Sequence, residues 1–127
     1  MKRKILIVED HRDSASLLDL TLSSLGNEVV VATSGEQAID LAADFNPDAV
    51  LLDLSLPSMD GCETARLLRA NPKTAKSLLI AVTGHVDAAD IQKTMNAGFD
   101  HHLTKPADVA KIAELLGMRS PSDPFVD

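Results

Sequence analysis

Ala49-Val50-Leu51-Leu52-Asp53-Leu54-Ser55-Leu56-Pro57-Ser58-Met59-Asp60-Gly61 runs four small or apolar residues into a single acid. Ala49 to Leu52 has neither helical nor alternating periodicity, which predicts a short strand buried on both faces at the centre of a parallel sheet. Asp53 then stands at the carboxyl end of that strand. In open α/β sheets this edge faces the ligand crevice, and a carboxylate closing an apolar run is costly to desolvate unless water, a cation or a hydrogen-bond donor meets it. The plain alternative is an N-cap for the next helix. Pro57 and the turn pair Asp60-Gly61 hold the chain in a loop and delay that helix to about Cys62, so Asp53 reads as a functional acid.

The same pattern recurs near the N-terminus, where Lys4 to Val8 is a β-branched run ending in Glu9-Asp10. Asp13 or Ser14 is placed to cap a helix through Leu25, with Leu18, Leu22 and Leu25 on one face and Gly26 to end it. Val29 to Ala32 reads as the next strand. Ser34-Gly35-Glu36-Gln37 resembles a capping box opening a helix through Phe45, with Ala38, Leu41, Ala42 and Phe45 inward and Pro47 beyond its end. After the central strand, Cys62 to Ala70 forms a short helix with Ala65 and Leu68 inward, closed by the turn Asn71-Pro72. Ser77 to Val82 is a fourth apolar strand that delivers Thr83-Gly84. Asp87 can cap a helix bearing Ile91 and Met95 inward and stopped by Gly98. His101 to Thr104 is a short fifth strand ending in Lys105-Pro106. Asp108 to Leu116 is a last helix with Val109, Ile112, Ala113 and Leu116 inward.

Strand and helix thus alternate five times, which predicts an α/β fold: a parallel sheet with right-handed crossovers and helices on both faces. All strand ends share one edge, so Glu9-Asp10, Asp53, Thr83 and Lys105 are expected to converge. Residues 1–118 make the domain. Residues 119–127 lack periodicity and read as a flexible tail or the start of a linker.

At 127 residues the chain has room for one domain, and its core must be aliphatic and alanine-rich, because aromatic residues are only 2% of the chain against 45% hydrophobic. A single cysteine, Cys62, excludes an internal disulfide and reads as a buried residue at a helix start without a redox role. With no signal peptide and no long apolar segment in view, a reducing cytoplasm is the expected compartment. A net charge of -7 argues against nucleic acid or an anionic membrane as partners of the domain. Cations or basic protein surfaces are the expected company.

Three carboxylates a few ångströms apart repel by about 4 kcal/mol per pair at an effective dielectric of about 20, and a divalent cation among them removes that cost. All-oxygen ligation suits Mg²⁺, with Mn²⁺ as the alternative. Thr83 offers a hydroxyl and Lys105 a compact cation for the oxygens of a phosphoryl group. Carboxylate nucleophile, metal and lysine together make an aspartyl-phosphate site. His101 and His102, adjacent on a strand, point to opposite faces, which disfavours a shared zinc site.

Val8-Glu9-Asp10, Leu51 to Pro57 with Met59-Asp60-Gly61, Val82-Thr83-Gly84 and Leu103-Thr104-Lys105-Pro106, in this order and on strand ends, resemble the receiver domain of the response-regulator family of two-component signalling. The resemblance runs from Lys4 to about Leu116. It implies a flavodoxin-like five-stranded sheet of strand order 2-1-3-4-5. It also implies that Asp53 accepts a phosphoryl group from a phosphohistidine on a histidine kinase or histidine phosphotransfer protein. Asp10, Asp53 and the Ser55 carbonyl would bind Mg²⁺, with Glu9 acting through a water; Thr83 and Lys105 would contact the phosphoryl oxygens. The Lys105-Pro106 bond is expected to be cis. Ser55 and His85 resemble the two variable positions that set the phosphate lifetime. Thr83 and His102 take the switch positions, although the family usually has Tyr or Phe where His102 stands. The face of the fourth helix, fifth strand and fifth helix would meet a downstream protein.

The stretch Gly98 to Pro106 is most similar to receivers of hybrid histidine kinases. With no output domain in view, the chain reads as a single-domain regulator or a piece of a larger protein. Such a domain is not a conventional enzyme but catalyses its own phosphorylation and dephosphorylation. Two other classes compete. A haloacid-dehalogenase-type phosphatase would use Asp53 as nucleophile but wants an acid two residues on, where Ser55 stands. A flavodoxin-like flavin binder needs a Ser/Thr/Gly-rich phosphate loop after the first strand, where Glu9-Asp10-His11-Arg12-Asp13 would repel phosphate.

Overall fold

The computed structural model describes residues 3–54, 61–84, 88–105 and 107–117. The expectations for Ser55, Pro57, Asp60, His85, Asp87, the Lys105-Pro106 bond and the 119–127 tail fall outside them. The apolar runs form β1 (Lys4–Val8), β2 (Glu28–Ala32), β3 (Ala49–Asp53), β4 (Leu78–Thr83) and β5 (His101–Thr104). Between and after them lie α1 (Arg12–Ser24), α2 (Gly35–Phe45), α3 (Gly61–Ala70), α4 (Ala88–Ala97) and α5 (Val109–Leu115). The strands make one parallel sheet in the order β2-β1-β3-β4-β5, as the resemblance implies.

β3 is central and buried at every residue, which is why it carries no alternation. Its odd and even side chains feed two cores. Val50 and Leu52 join Leu6, Val8, Leu79 and Ala81 under α2, α3 and α4, through Ala38, Ala42, Ala65, Leu68 and Ala97. Ala49 and Leu51 join Ile5, Ile7 and Ile80 under α1 and α5, through Leu22, Ile112 and Leu116. Alanine dominates the helix side of the first core, where it lets backbones approach the sheet closely.

Local chemistry sets the helix ends. Ser34 Oγ accepts from Gln37 N at 3.1 Å, while the Gln37 side chain reaches one residue further back than in a capping box and takes Thr33 N at 2.6 Å. Asp108 Oδ1 caps α5 by accepting from Ala110 N at 2.9 Å. Gly61 opens α3 at a close approach: a Cβ there would lie 2.6 Å from Leu54 Cδ2, 2.7 Å from Leu52 Cδ2 and 3.0 Å from Leu54 Cα, so the two leucine side chains would have to shift.

Two helix expectations are corrected. Neither Asp13 nor Ser14 caps α1; the N-cap is His11, whose carbonyl accepts from Ala15 N at 3.0 Å, so Asp13 lies in the first turn, where its charge suits the helix dipole. Leu22 is fully buried, but Leu25 lies past the helix end at 36% exposure. Among the described side chains of α4 the buried ones are Thr94 and Ala97, at 1% and 3% exposure, while Ile91 and Met95 are exposed. The small side chains take the close contact with the sheet, and the Thr94 hydroxyl is satisfied by donating to Ile91 O at 2.8 Å.

Candidate functional site

Each strand end contributes one part of the site. Glu9 leaves β1 with its amide bonded to Ala32 O at 2.9 Å, and Asp10 follows it into solvent. Asp53 is the last residue of β3, and the next amide, Leu54 N, donates to Val82 O at 3.1 Å, which keeps the strand end against β4. Thr83 closes β4, and its carbonyl accepts from Lys105 N at 2.7 Å. That bond fixes the backbone of Lys105 just beyond β5 and lets its side chain turn back over the sheet edge.

The convergence expected from strand order is present. Lys105 Nζ donates to Asp53 Oδ2 at 2.7 Å and lies 3.8 Å from Glu9 Oε1. Glu9, Asp10 and Asp53 each bring one carboxylate oxygen within 4.8 Å of the others, and among the described residues they are the group able to hold a metal ion. Asp53 and Glu9 are buried, at 3% and 7% exposure.

Burial at this density of charge perturbs titration. Glu9 has its pKa raised, first by burial, then by its hydrogen bond and charge repulsion with Asp53; the His11 amide, donating to Glu9 Oε2 at 3.2 Å, and the Lys105 charge pull the other way. For Lys105, burial is the largest influence and lowers the pKa. The hydrogen bond to Asp53 and the charges of Asp53, Glu9 and Asp10 outweigh it, so the net shift is upward. Such a cluster, with one ammonium against three carboxylates, has the donor set and the excess negative charge that a hard divalent cation takes.

His102 pairs with Ala81 across β4 and β5, whereas His101 pairs with Ile80, so the two imidazoles do face opposite cores. His102 Nε2 is buried with no hydrogen-bond partner. Cys62 lies at the second position of α3, at 5% exposure. The His11 amide that holds Glu9 could not be singled out beforehand, because every residue except proline offers the same donor.

A family model described as the response regulator receiver domain matches residues 5–117. The Regulator of RpoS from Escherichia coli is 35% identical over 115 residues, which are 90% of this chain and 34% of that protein. The DNA-binding response regulator MtrA of Mycobacterium tuberculosis is 33% identical over 106 residues, 84% of this chain and 45% of that protein. The chain therefore spans less than half the length of these curated relatives. Among solved structures, the receiver domain of a sensor histidine kinase from Pseudomonas aeruginosa, with a magnesium ion coordinated in its active-site cleft, matches with a TM-score of 0.82 at 31% identity. The match covers 91% of this chain and 95% of that one.

Proposed function

Since the chain belongs to the response regulator receiver family, we propose that it carries a phosphoryl group on Asp53, taken from the phosphohistidine of a histidine kinase or histidine phosphotransfer protein. The observation that carries this reading is the contact of Lys105 Nζ with Asp53 Oδ2 at 2.7 Å, beside Glu9 and Asp10 at the carboxyl edge of the sheet. In the transfer, an Asp53 oxygen forms a bond to phosphorus as the bond to the donor imidazole nitrogen breaks. Lys105 holds the carboxylate in place and balances charge on the transferred oxygens.

The carboxylate oxygens of Asp10 and Asp53 would hold Mg²⁺, with Glu9 acting through a water, the Ser55 carbonyl proposed as a further ligand and Mn²⁺ as the alternative ion; the grouping of the three acids supports this. The cation would supply charge neutralisation for the phosphoryl oxygens. Without it the three acids repel one another and any incoming phosphate.

Thr83 and His102 are proposed as the switch. Thr83 ends β4 next to the Lys105 backbone, and the unpartnered His102 Nε2 supports an inward-facing role for that ring. Ser55 and His85 are proposed to set the lifetime of the phosphate, and the surface of α4, β5 and α5 to meet a downstream protein. Incubating wild type and Asp53→Asn with acetyl phosphate and Mg²⁺ and weighing both tests the central step. Wild type gains one phosphoryl group and the variant none; an equal gain in both removes Asp53 from its role. Repeating the reaction in EDTA tests the metal, and undiminished phosphorylation there would refute it.

A further inference from the structure

β5 is weakly anchored by its own side chains. It has four residues, lies at the edge of the sheet with β4 on one side only, and buries none of its side chains fully. Register is firmly specified where one face of a strand is buried, and β5 has no such face. Its first two residues are both histidine, so a slip of one position puts one imidazole where the other stood. Backbone bonds between parallel strands are evenly spaced and do not by themselves distinguish a register from one shifted along it. The register nevertheless matters: a slip of one position moves Lys105 by about 3.3 Å and turns its side chain to the other face of the sheet, away from Asp53.

The residues just before β5 supply what the strand lacks. Asp100 N donates to Leu79 O at 2.8 Å, and Asp100 Oδ2 accepts from Leu79 N at 2.9 Å, so Asp100 engages both backbone groups of one residue of β4. Arg69, near the end of α3, ties the starts of the two strands together. Its Nη2 donates to Asp100 Oδ2 at 2.6 Å and its Nε to Gly98 O at 2.9 Å, on the approach to β5. Its Nη1 donates to Ala75 O at 2.8 Å and Ser77 O at 2.7 Å, on the approach to β4. The planar guanidinium holds these directions at once, which an ammonium cannot. Gly98, with φ of +108°, passes so close that a Cβ on it would lie 2.9 Å from Arg69 Cγ. Counting on from Leu79 and Asp100 gives the partners Ile80–His101 through Thr83–Thr104, and then the Lys105 amide on Thr83 O at 2.7 Å.

We propose that Arg69 and Asp100 set the register of β5 and thereby place Lys105, about 16 Å further along the strand direction, over Asp53. The register does not depend on the phosphoacceptor reading; its consequence for phosphoryl transfer rests on that reading. Arg69 touches no reacting atom. It is a positioning residue that acts through Lys105.

Amide hydrogen exchange on the metal-free protein reads the register without any chemistry. The Lys105 amide, on Thr83 O, is compared with the Leu54 amide, on Val82 O at the end of neighbouring β3. In Arg69→Met, which keeps the aliphatic stem, and in Asp100→Val, protection of Lys105 relative to Leu54 is expected to fall at least about tenfold. Asp100→Asn keeps an oxygen for Leu79 N and is expected to lose about threefold. Leu22→Ala, which weakens the fold from α1, is expected to leave the ratio within about twofold. Should Arg69→Met and Asp100→Val fail to fold, Asp100→Asn carries the comparison. An unchanged ratio in the folded variants, or an equal fall in Leu22→Ala, overturns the proposal.

Initial rates with acetyl phosphate and saturating Mg²⁺ test the positioning of Lys105. Arg69→Met is expected to slow phosphorylation at least about tenfold in the otherwise wild-type chain but less than about twofold in a Lys105→Ala background, where no ammonium is left to place. Equal slowing in both backgrounds overturns the positioning role while the phosphoacceptor reading stands. If wild type gains no phosphoryl group, the phosphoacceptor reading falls, and the exchange ratio upholds or overturns the register on its own.

Discussion

Among the described residues, the ammonium of Lys105 faces the carboxylates of Glu9, Asp10 and Asp53, and Glu9 is buried beside it. Its pKa is raised above the ordinary value of 4.5, so the folded chain binds the Glu9 proton more tightly than the unfolded chain does. The stability this contributes is fully present below the unfolded pKa and is lost as pH rises through the folded one. In EDTA, Glu9→Gln should therefore gain stability relative to wild type as pH is raised from about 4.5 to 7. Denaturant melts followed by circular dichroism check this, and a pH-independent difference would contradict it. Lys105, whose pKa is raised, keeps its charge throughout this range. Its removal acts on a different quantity: Lys105→Ala should slow phosphorylation by acetyl phosphate by about a hundredfold, the scale of losing one charge-stabilising donor. Asp53 and Glu9 were legible in the sequence because each stands where an apolar run stops at a charged residue, with Asp10 directly after Glu9 and Lys105 directly after the short stretch 101–104 read as a fifth strand. The Glu9–His11 contact was not, since it depends on a backbone amide.

Elements were legible where side-chain chemistry is local and illegible where packing distance decides. Ser34 announces α2 because its hydroxyl has a single nearby use; Ser34→Ala should cost about 1 kcal/mol in denaturant melts. The start of α1 was misplaced because Asp13 and Ser14 are good caps in isolation, yet the helix begins at Arg12 without a side-chain cap. The inward face of α4 was misread because Ile91 and Met95 have helical spacing, while close approach to the sheet selects Thr94 and Ala97. Spacing alone cannot tell a core stripe from an exposed one. In α1, Leu22 is fully buried and Leu20 is 71% exposed. Leu22→Ala should cost about 3 kcal/mol and Leu20→Ala less than about 0.5 kcal/mol. Similar losses in the two variants would mean that α1 presents a different face to the sheet.

For the whole molecule, the parallel sheet was accessible because strands and helices alternate, whereas its strand order followed from the resemblance carried by the motifs at the strand ends. The hydrogen bonds that Arg69 donates to the carbonyls of Ala75, Ser77 and Gly98 were not accessible, because these carbonyls come together only after the α3, β4 and α4 segments have packed. A cation held by Glu9, Asp10 and Asp53 in the folded state stabilises the fold by mass action. Mg²⁺ at ten times its dissociation constant should add about 1.4 kcal/mol, and Asp10→Asn should abolish most of that gain. Calorimetric melts with and without Mg²⁺ check it; no shift in wild type would mean that the ion does not bind the folded chain. The parallel architecture also has a consequence for how the protein is made. Lys105 meets Asp53 across 52 positions of chain, so no fragment that stops short of β5 holds the assembled site. During synthesis the three acids emerge from the ribosome well before the lysine, and non-local pairings of this kind close late. A nascent or prematurely terminated chain is therefore chemically mute, and competence arrives only when the last strand docks.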